Sequence, residues 1–195
     1  MKLTRKISPR ERILKTAERL FHKHGYNEVG INQILEESNC AKASLYENFE
    51  SKEELAKFVL RRYQAGTVIW LQKIIKNSET PTLFARNFQI AILKQIQSKN
   101  EIHRGCPVAL FSTQLHQLDS FKDDFENFAI KWEHVLVKKI QTWKAMGLIS
   151  EASNPKTIAR FMLSLYEGCL VMWRISGNIE YIRETKHQLN IVFKS

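Results

Sequence analysis

Apolar residues recur at three-and-four spacing along almost the whole chain, and no alternating run long enough for a β-strand interrupts them. That period gives each helix one apolar stripe and leaves no sheet to cover, so the expected fold is all-α. With 195 residues and 44% hydrophobic side chains, the chain can bury a real core without disulfides or metal. Its few Pro residues fall where helices would begin, and several Gly fall where they would end.

Local signals divide the chain into about nine helices. Ser8-Pro9 opens the first, whose stripe of Ile13, Leu14, Ala17, Leu20 and Phe21 runs to a stop at Gly25. The second covers about 31–38, with Ile31, Ile34 and Leu35 inward, and Asn39 supplies the left-handed residue of a tight turn. The third covers about 42–48, with Leu45 inward and Phe49 closing the core behind it. Ser51 and Glu54 form a capping box that opens a long fourth helix to about Lys76. Thr80-Pro81 starts a fifth to about Ser98, residues 99–105 form a polar loop, and Pro107 opens a sixth. A seventh runs from about Ser120 to Ala145 and stops at Gly147, Asn154-Pro155 starts an eighth, and a last helix covers 178–193 after Gly177.

Two helices as short as the second and third cannot bury a core alone, so the expected product of the segment Gly30–Lys52 is the set of residues they expose. The formal charge of +10 points to a polyanionic partner, either nucleic acid or an anionic surface. Residues 1–24 hold Lys2, Arg5, Lys6, Arg10, Arg12, Lys15, Arg19 and Lys23 against Glu11 and Glu18 only. That suits phosphate contact, and a solvated charged helix face is the alternative reading. Cys40, Cys106 and Cys169 are odd in number and far apart, which fits reduced thiols better than a disulfide framework or a metal site. No apolar run reaches membrane-spanning length and the charged start has no signal-peptide core, so the expected location is the cytoplasm.

Residues 10–60 strongly resemble the N-terminal DNA-binding domain of TetR-family transcriptional regulators. The resemblance rests on Ala17-x-x-Leu20-Phe21-x-x-x-Gly25-Tyr26, on Ile31-x-x-Ile34, and on Leu45-Tyr46-x-x-Phe49-x-Ser51-Lys52-Glu53-x-Leu55. It implies a helix-turn-helix domain over 1–60, with the motif at about 30–49, joined through the fourth helix to a regulatory and dimerisation bundle over 61–195. It further implies a sequence-specific regulator, most simply a ligand-responsive repressor that binds a palindromic operator in double-stranded DNA as a homodimer. In such a motif the second helix enters the major groove, and its exposed side chains read base edges while flanking groups hold phosphates. The exposed set here is Lys42, Ala43, Ser44, Tyr46, Glu47 and Asn48. By resemblance Lys42, Tyr46 and Lys52 hold the backbone, Ser44 and Glu47 face bases, and Asn48 is a candidate adenine reader. Three positions depart from the family pattern: Gly30 and Ala41 lack the usual capping hydroxyl and Ala43 replaces a common glycine.

Beyond residue 60 the resemblance is one of pattern, a bundle that senses an unknown small-molecule effector. Phe88, Phe111, Phe128, Trp132, Tyr166 and Trp173 are candidate effector contacts, with ordinary core packing as the competing reading for each. Phe161, Leu165, Leu170, Trp173 and Leu189 are candidates for a two-fold interface. Cys106, in a Gly-Cys-Pro element before the sixth helix, would have a lowered thiol pKa if the helix N-terminus governed it. The histidines sit singly and no phosphate loop or carboxylate pair is evident, so no catalytic residue, metal ligand or cofactor is expected. The rival to a DNA-binding regulator is a helical small-molecule-binding or interaction protein without specific DNA binding.

Overall fold

The computed structural model describes residues 7–97 and 105–194. Lys2, Arg5 and Lys6 of the basic segment, Ser98, and residues 99–104 of the polar loop with His103 lie outside the described residues. Among those described, helices follow one another without a strand: α1 (Pro9–His24), α2 (Ile31–Ser38), α3 (Lys42–Tyr46), α4 (Lys52–Lys76), α5 (Pro81–Ile96), α6 (Pro107–Leu115), α7 (Asp119–Ala145), α8 (Pro155–Ser176), α9 (Glu180–Arg183) and α10 (Thr185–Lys194). The all-α plan is the expected one. The last expected helix is two pieces, α9 and α10, parted at Glu184.

Helix starts follow their local chemistry. Ser8 Oγ accepts from the Glu11 N–H at 3.3 Å, Ser51 Oγ from Glu54 at 3.0 Å, Thr80 Oγ1 from Leu83 at 3.2 Å, and Asn154 Oδ1 from Lys156 at 2.9 Å. Each satisfies a backbone donor that the first turn would leave unpaired. Gly30 and Ala41 precede α2 and α3 with no side-chain cap. Asn39 is left-handed (φ 51°, ψ 50°), as the tight turn between α2 and α3 requires.

The third helix is shorter than the sequence pattern predicts. After Tyr46 the chain tightens: Glu47 N–H donates to Ala43 O at 2.9 Å, and Asn48 and Phe49 N–H both donate to Leu45 O, at 3.0 and 2.7 Å. This turn carries Phe49 inward, where it is buried against Phe58 with ring centroids 5.6 Å apart.

The head of the molecule is α1 packed on α2, α3 and the first half of α4 around Ile13, Leu20, Ile34, Leu45 and Phe49. The helix α4 serves both parts, burying Leu55, Ala56 and Val59 near the head and Val68, Leu71 and Ile74 further along. The bundle packs α7 on α8 and α10 on α5 and α8. Its centre is an aromatic cluster in which Trp70, Phe88, Trp132 and Tyr166 meet at centroid distances of 5.3–5.9 Å.

Head and bundle dock through specific side chains. Phe111 of α6 meets Phe21 of α1 at 5.8 Å and Tyr63 of α4 at 5.3 Å, both edge-on. Gln114 Oε1 accepts from the Asn27 N–H at 3.1 Å. Gly25, with φ +91°, lies so close that a Cβ there would sit 2.5 Å from the Gln114 carboxamide nitrogen. The positive φ favours glycine at position 25, and a side chain there would have to displace the Gln114 carboxamide. Ser120 Oγ donates to Glu53 at 2.6 Å and Gln64 donates to the Asp124 carbonyl at 2.9 Å.

Candidate functional site

The helix α3 buries a single side chain, Leu45, which is 0% exposed. Around it Lys42, Ala43, Tyr46 and Glu47 are exposed and Ser44 is half-buried, so these five form one outward surface. Lys42 Nζ lies 5.9 Å from the Tyr46 ring centroid, which groups the charge with the aromatic ring. Asn48 differs from expectation: it is half-buried and its Nδ2 donates to the Ser44 carbonyl at 2.7 Å. One amide hydrogen is thus engaged on its own helix end, which leaves the second hydrogen and Oδ1 for a base edge.

Lys52, the first residue of α4, flanks this surface. Its Nζ lies 4.3 Å from the Tyr26 ring centroid, and burial holds its pKa below the usual lysine value, opposed by Glu28. Burial, helped by Glu53, raises the Tyr26 hydroxyl, so the partner ring stays neutral. Lys52 is thus a positioned cation beside free N–H groups at a helix start, suited to a phosphate.

Other basic residues of the first segment are committed to scaffolding. Arg10 stacks its guanidinium over Phe58 and Phe49, at 4.7 and 5.3 Å from the centroids. Arg19 pairs with Glu37 of α2, whose carboxyl is held below the usual range first by that hydrogen bond and then by Gln33. Arg62 of α4 reaches Glu11 at 3.0 Å and Glu18 at 3.3 Å and so ties α4 to α1.

A cavity of about 680 Å³ opens between α4 and α5, reaching α1, α6 and α8. Of the six aromatic effector candidates, only Tyr166 lines it. Phe88, Phe111, Phe128 and Trp132 are buried in packed ring contacts, and Trp173 is half-buried against the core. These five do not line this cavity because packing takes up their faces, although Phe111 borders a smaller cavity beside Gly25. The lining that the sequence did not single out includes Arg62, Trp70, Lys73, Lys94, Asn87 and Gln95. Their only sequence signal was polar residues on the faces of α4 and α5 that turn toward each other, which periodicity within one helix does not reveal.

The candidate interface residues also separate. Leu170 and Leu189, at 1% and 0% exposure, are core residues of the chain itself and present no surface. Phe161 is 40% exposed, while Leu165 and Trp173 are half-buried. With Val171, Met172 and Ile175, Phe161 and Leu165 form an outward apolar stripe on α8. Gly168 lies on this stripe, and a Cβ there would meet nothing within 4 Å.

Cys106 departs from expectation as well. It is buried, and burial first and then Glu167 push its thiol well above the ordinary range, so the helix N-terminus does not make it a thiolate. Cys169 is raised to about 12 by burial and Glu167, and all three cysteines are free. Among the described residues no three metal-ligating side chains gather and no helix is long and apolar enough to cross a membrane.

Comparison with known proteins agrees with this geometry. Residues 13–59 match the family model of bacterial regulatory proteins, tetR family. The chain is 38% identical over 151 residues to the HTH-type transcriptional regulator LmrA of Bacillus subtilis, covering 74% of this chain and 78% of that protein. It is 22% identical over 188 residues to the HTH-type transcriptional repressor DhaR of a Mycobacterium species, covering 95% and 91% of the two chains. The crystal structure of the reduced form of Escherichia coli NemR superposes with a TM-score of 0.84 at 20% identity, covering 94% of this chain and 96% of that one. An all-helical chain with an outward reading helix, matched across most of its length by helix-turn-helix regulators, is a DNA-binding transcriptional regulator and belongs to the tetR family of bacterial regulatory proteins.

Proposed function

We propose that the protein is a ligand-responsive repressor that binds a palindromic operator as a homodimer. The observation that carries the DNA-reading half is α3 itself, five residues long with one buried anchor and every other side chain turned wholly or partly outward. A helix that contributes so little to the core is retained for what it presents. Residues 1–60 are assigned to DNA reading and residues 61–195 to sensing and dimerisation. Lys42, Tyr46 and Lys52 hold phosphates, and Ser44 and Glu47 face bases, Glu47 as an acceptor for a cytosine amino group.

The outward stripe on α8 supports the homodimer. An exposed glycine inside a helix destabilises it by roughly 1 kcal/mol relative to Ala, and among the described residues nothing packs where a Cβ at Gly168 would stand. A second helix crossing closely there would explain both the glycine and the apolar residues beside it, and a two-fold interface pairs the stripe with its own copy. Two heads so joined would read half-sites about one DNA turn, roughly 34 Å, apart.

The test combines sedimentation with selection of bound sequences from random duplex DNA. Expected are a dimer at micromolar concentration and selected sequences with two-fold symmetry. Phe161→Asp, at an exposed position, should give a folded monomer that no longer selects palindromes. A monomeric wild type, or selected sites without symmetry, would overturn the reading.

A further inference from the structure

The cavity's lining is chemically specific. Lys73 of α4 and Lys94 of α5 both line it, and neither forms an ion pair among the described residues. The third cation, Arg62, is matched by Glu11 and Glu18, and Glu18 is the one acid in the lining. The cavity thus carries two unmatched positive charges at its edge. Its walls are flat and apolar further in: Trp70 is half-buried, Tyr166 is buried, and their rings meet at 5.3 Å and 44°. Ile74, Ile90 and Pro107 complete that wall.

Hydrogen-bonding capacity remains inside. Asn87 Nδ2 donates to the Asn77 carbonyl and to Ser78 Oγ, at 2.9 and 3.1 Å, which leaves its carbonyl oxygen as an acceptor. Gln95 Oε1 accepts from the Tyr166 hydroxyl at 3.5 Å, which leaves its amide hydrogens as donors. A volume of about 680 Å³ lies within the range of small-molecule sites, which run from roughly 300 to 1,000 Å³.

We propose that this cavity takes a small organic anion built on an aromatic ring, with the ring against Trp70 and Tyr166 and the anionic group between Lys73 and Lys94. The inference rests on the reading of the protein as ligand-responsive and names the chemical class of the effector. A ring fills the apolar wall, and a carboxylate supplies the negative charge that the two lysines of the lining lack. The same cavity reaches Arg62, whose guanidinium now holds Glu11 and Glu18 of the DNA-reading head. An anion bound nearby competes for that guanidinium and so weakens the tie between α4 and α1.

The experiment is calorimetric titration of the full-length protein with matched acids and amides: benzoate and benzamide, cinnamate and cinnamamide, 4-hydroxycinnamate and its amide, indole-3-acetate and its amide. At least one acid should bind, and about tenfold or more tightly than its amide, which corresponds to about 1.4 kcal/mol. The double variant Lys73→Gln/Lys94→Gln, at two exposed positions, should abolish that preference while leaving amide binding unchanged. Acids that bind no better than amides, acids that all fail to bind, or a preference that survives the double variant would each overturn the proposal. Operator release is read separately by gel shift. An acid that binds and leaves the operator complex intact would sink the ligand-responsive reading while the anion site stands. An amide that binds and releases DNA would do the reverse.

Discussion

Leu45→Ala isolates the role of the single anchor beneath the reading surface. Leu45 is completely buried, and it packs in the same continuous core as Ile13, Leu20, Ile34 and Phe49. The change removes three carbon atoms, and at about 0.8 kcal/mol per buried methylene the lost transfer energy is about 2.4 kcal/mol. A residual cavity adds to this, for an expected loss of about 3 kcal/mol, inside the roughly 2–5 kcal/mol seen for Leu-to-Ala changes in cores. For a chain of this size each kcal/mol lowers Tm by roughly 2–4 °C, so the expected drop is about 6–12 °C. Scanning calorimetry without DNA measures it, and Lys42→Ala, which changes only an exposed side chain of the same helix, should melt like the wild type. A Leu45→Ala protein melting within about 2 °C of wild type would refute the reasoning, because α3 would then not share the core's cooperative unit.

Lys42→Ala should weaken binding to all duplexes alike, and should reduce the slope of log affinity against log salt by about 0.9 per head, or about 1.8 for a dimer. An unchanged slope in filter binding would remove Lys42 from the phosphates. Glu167 gives a pH signature: burial raises its carboxyl above the ordinary range, so the folded state favours the protonated form. The stability this provides is full at low pH and is lost as pH rises through the raised value. Glu167→Gln should therefore melt higher than wild type near neutral pH, with the difference shrinking as pH falls through the carboxylate range. A difference that stays constant across melts from mildly acidic to neutral pH would contradict the assignment.

Much of this fold was legible because helix starts are local chemistry. Ser8-Pro9, Thr80-Pro81 and Asn154-Pro155 each do in space what their spacing implies, Ser51 caps the Glu54 N–H while the Glu54 carboxylate takes the Glu50 N–H instead of closing the box on Ser51, and Asn39 turns where a left-handed residue was expected. The reading surface was legible for the same reason, since Leu45 and Phe49 fix which side of a five-residue helix faces out. Asn48 was not, because its bond to the Ser44 carbonyl depends on the chain tightening after Tyr46. The cavity was least legible. Aromatic residues at helical spacing look alike whether they fill a core or wall a pocket, and Lys73 and Lys94 look like ordinary surface lysines until α4 and α5 are set side by side. The face of α8 was ambiguous in a similar way: it is apolar on two sides, and only packing shows that Leu170 turns in while Phe161 turns out.

The notch at Gly25 bears on how such a protein is rebuilt. The Gln114 carboxamide fills the space a side chain at position 25 would need and accepts the Asn27 N–H, so head and bundle are keyed by a residue from each. A chimera that grafts this head onto another bundle must carry the matching half of each key: the residue facing Gly25, the partner of Glu53 at position 120, and the partner of Gln64 at position 124. Transplants that respect these pairs should keep the head's tilt, whereas those cut at a convenient sequence boundary inside α4 would inherit a sound reader aimed at the wrong groove.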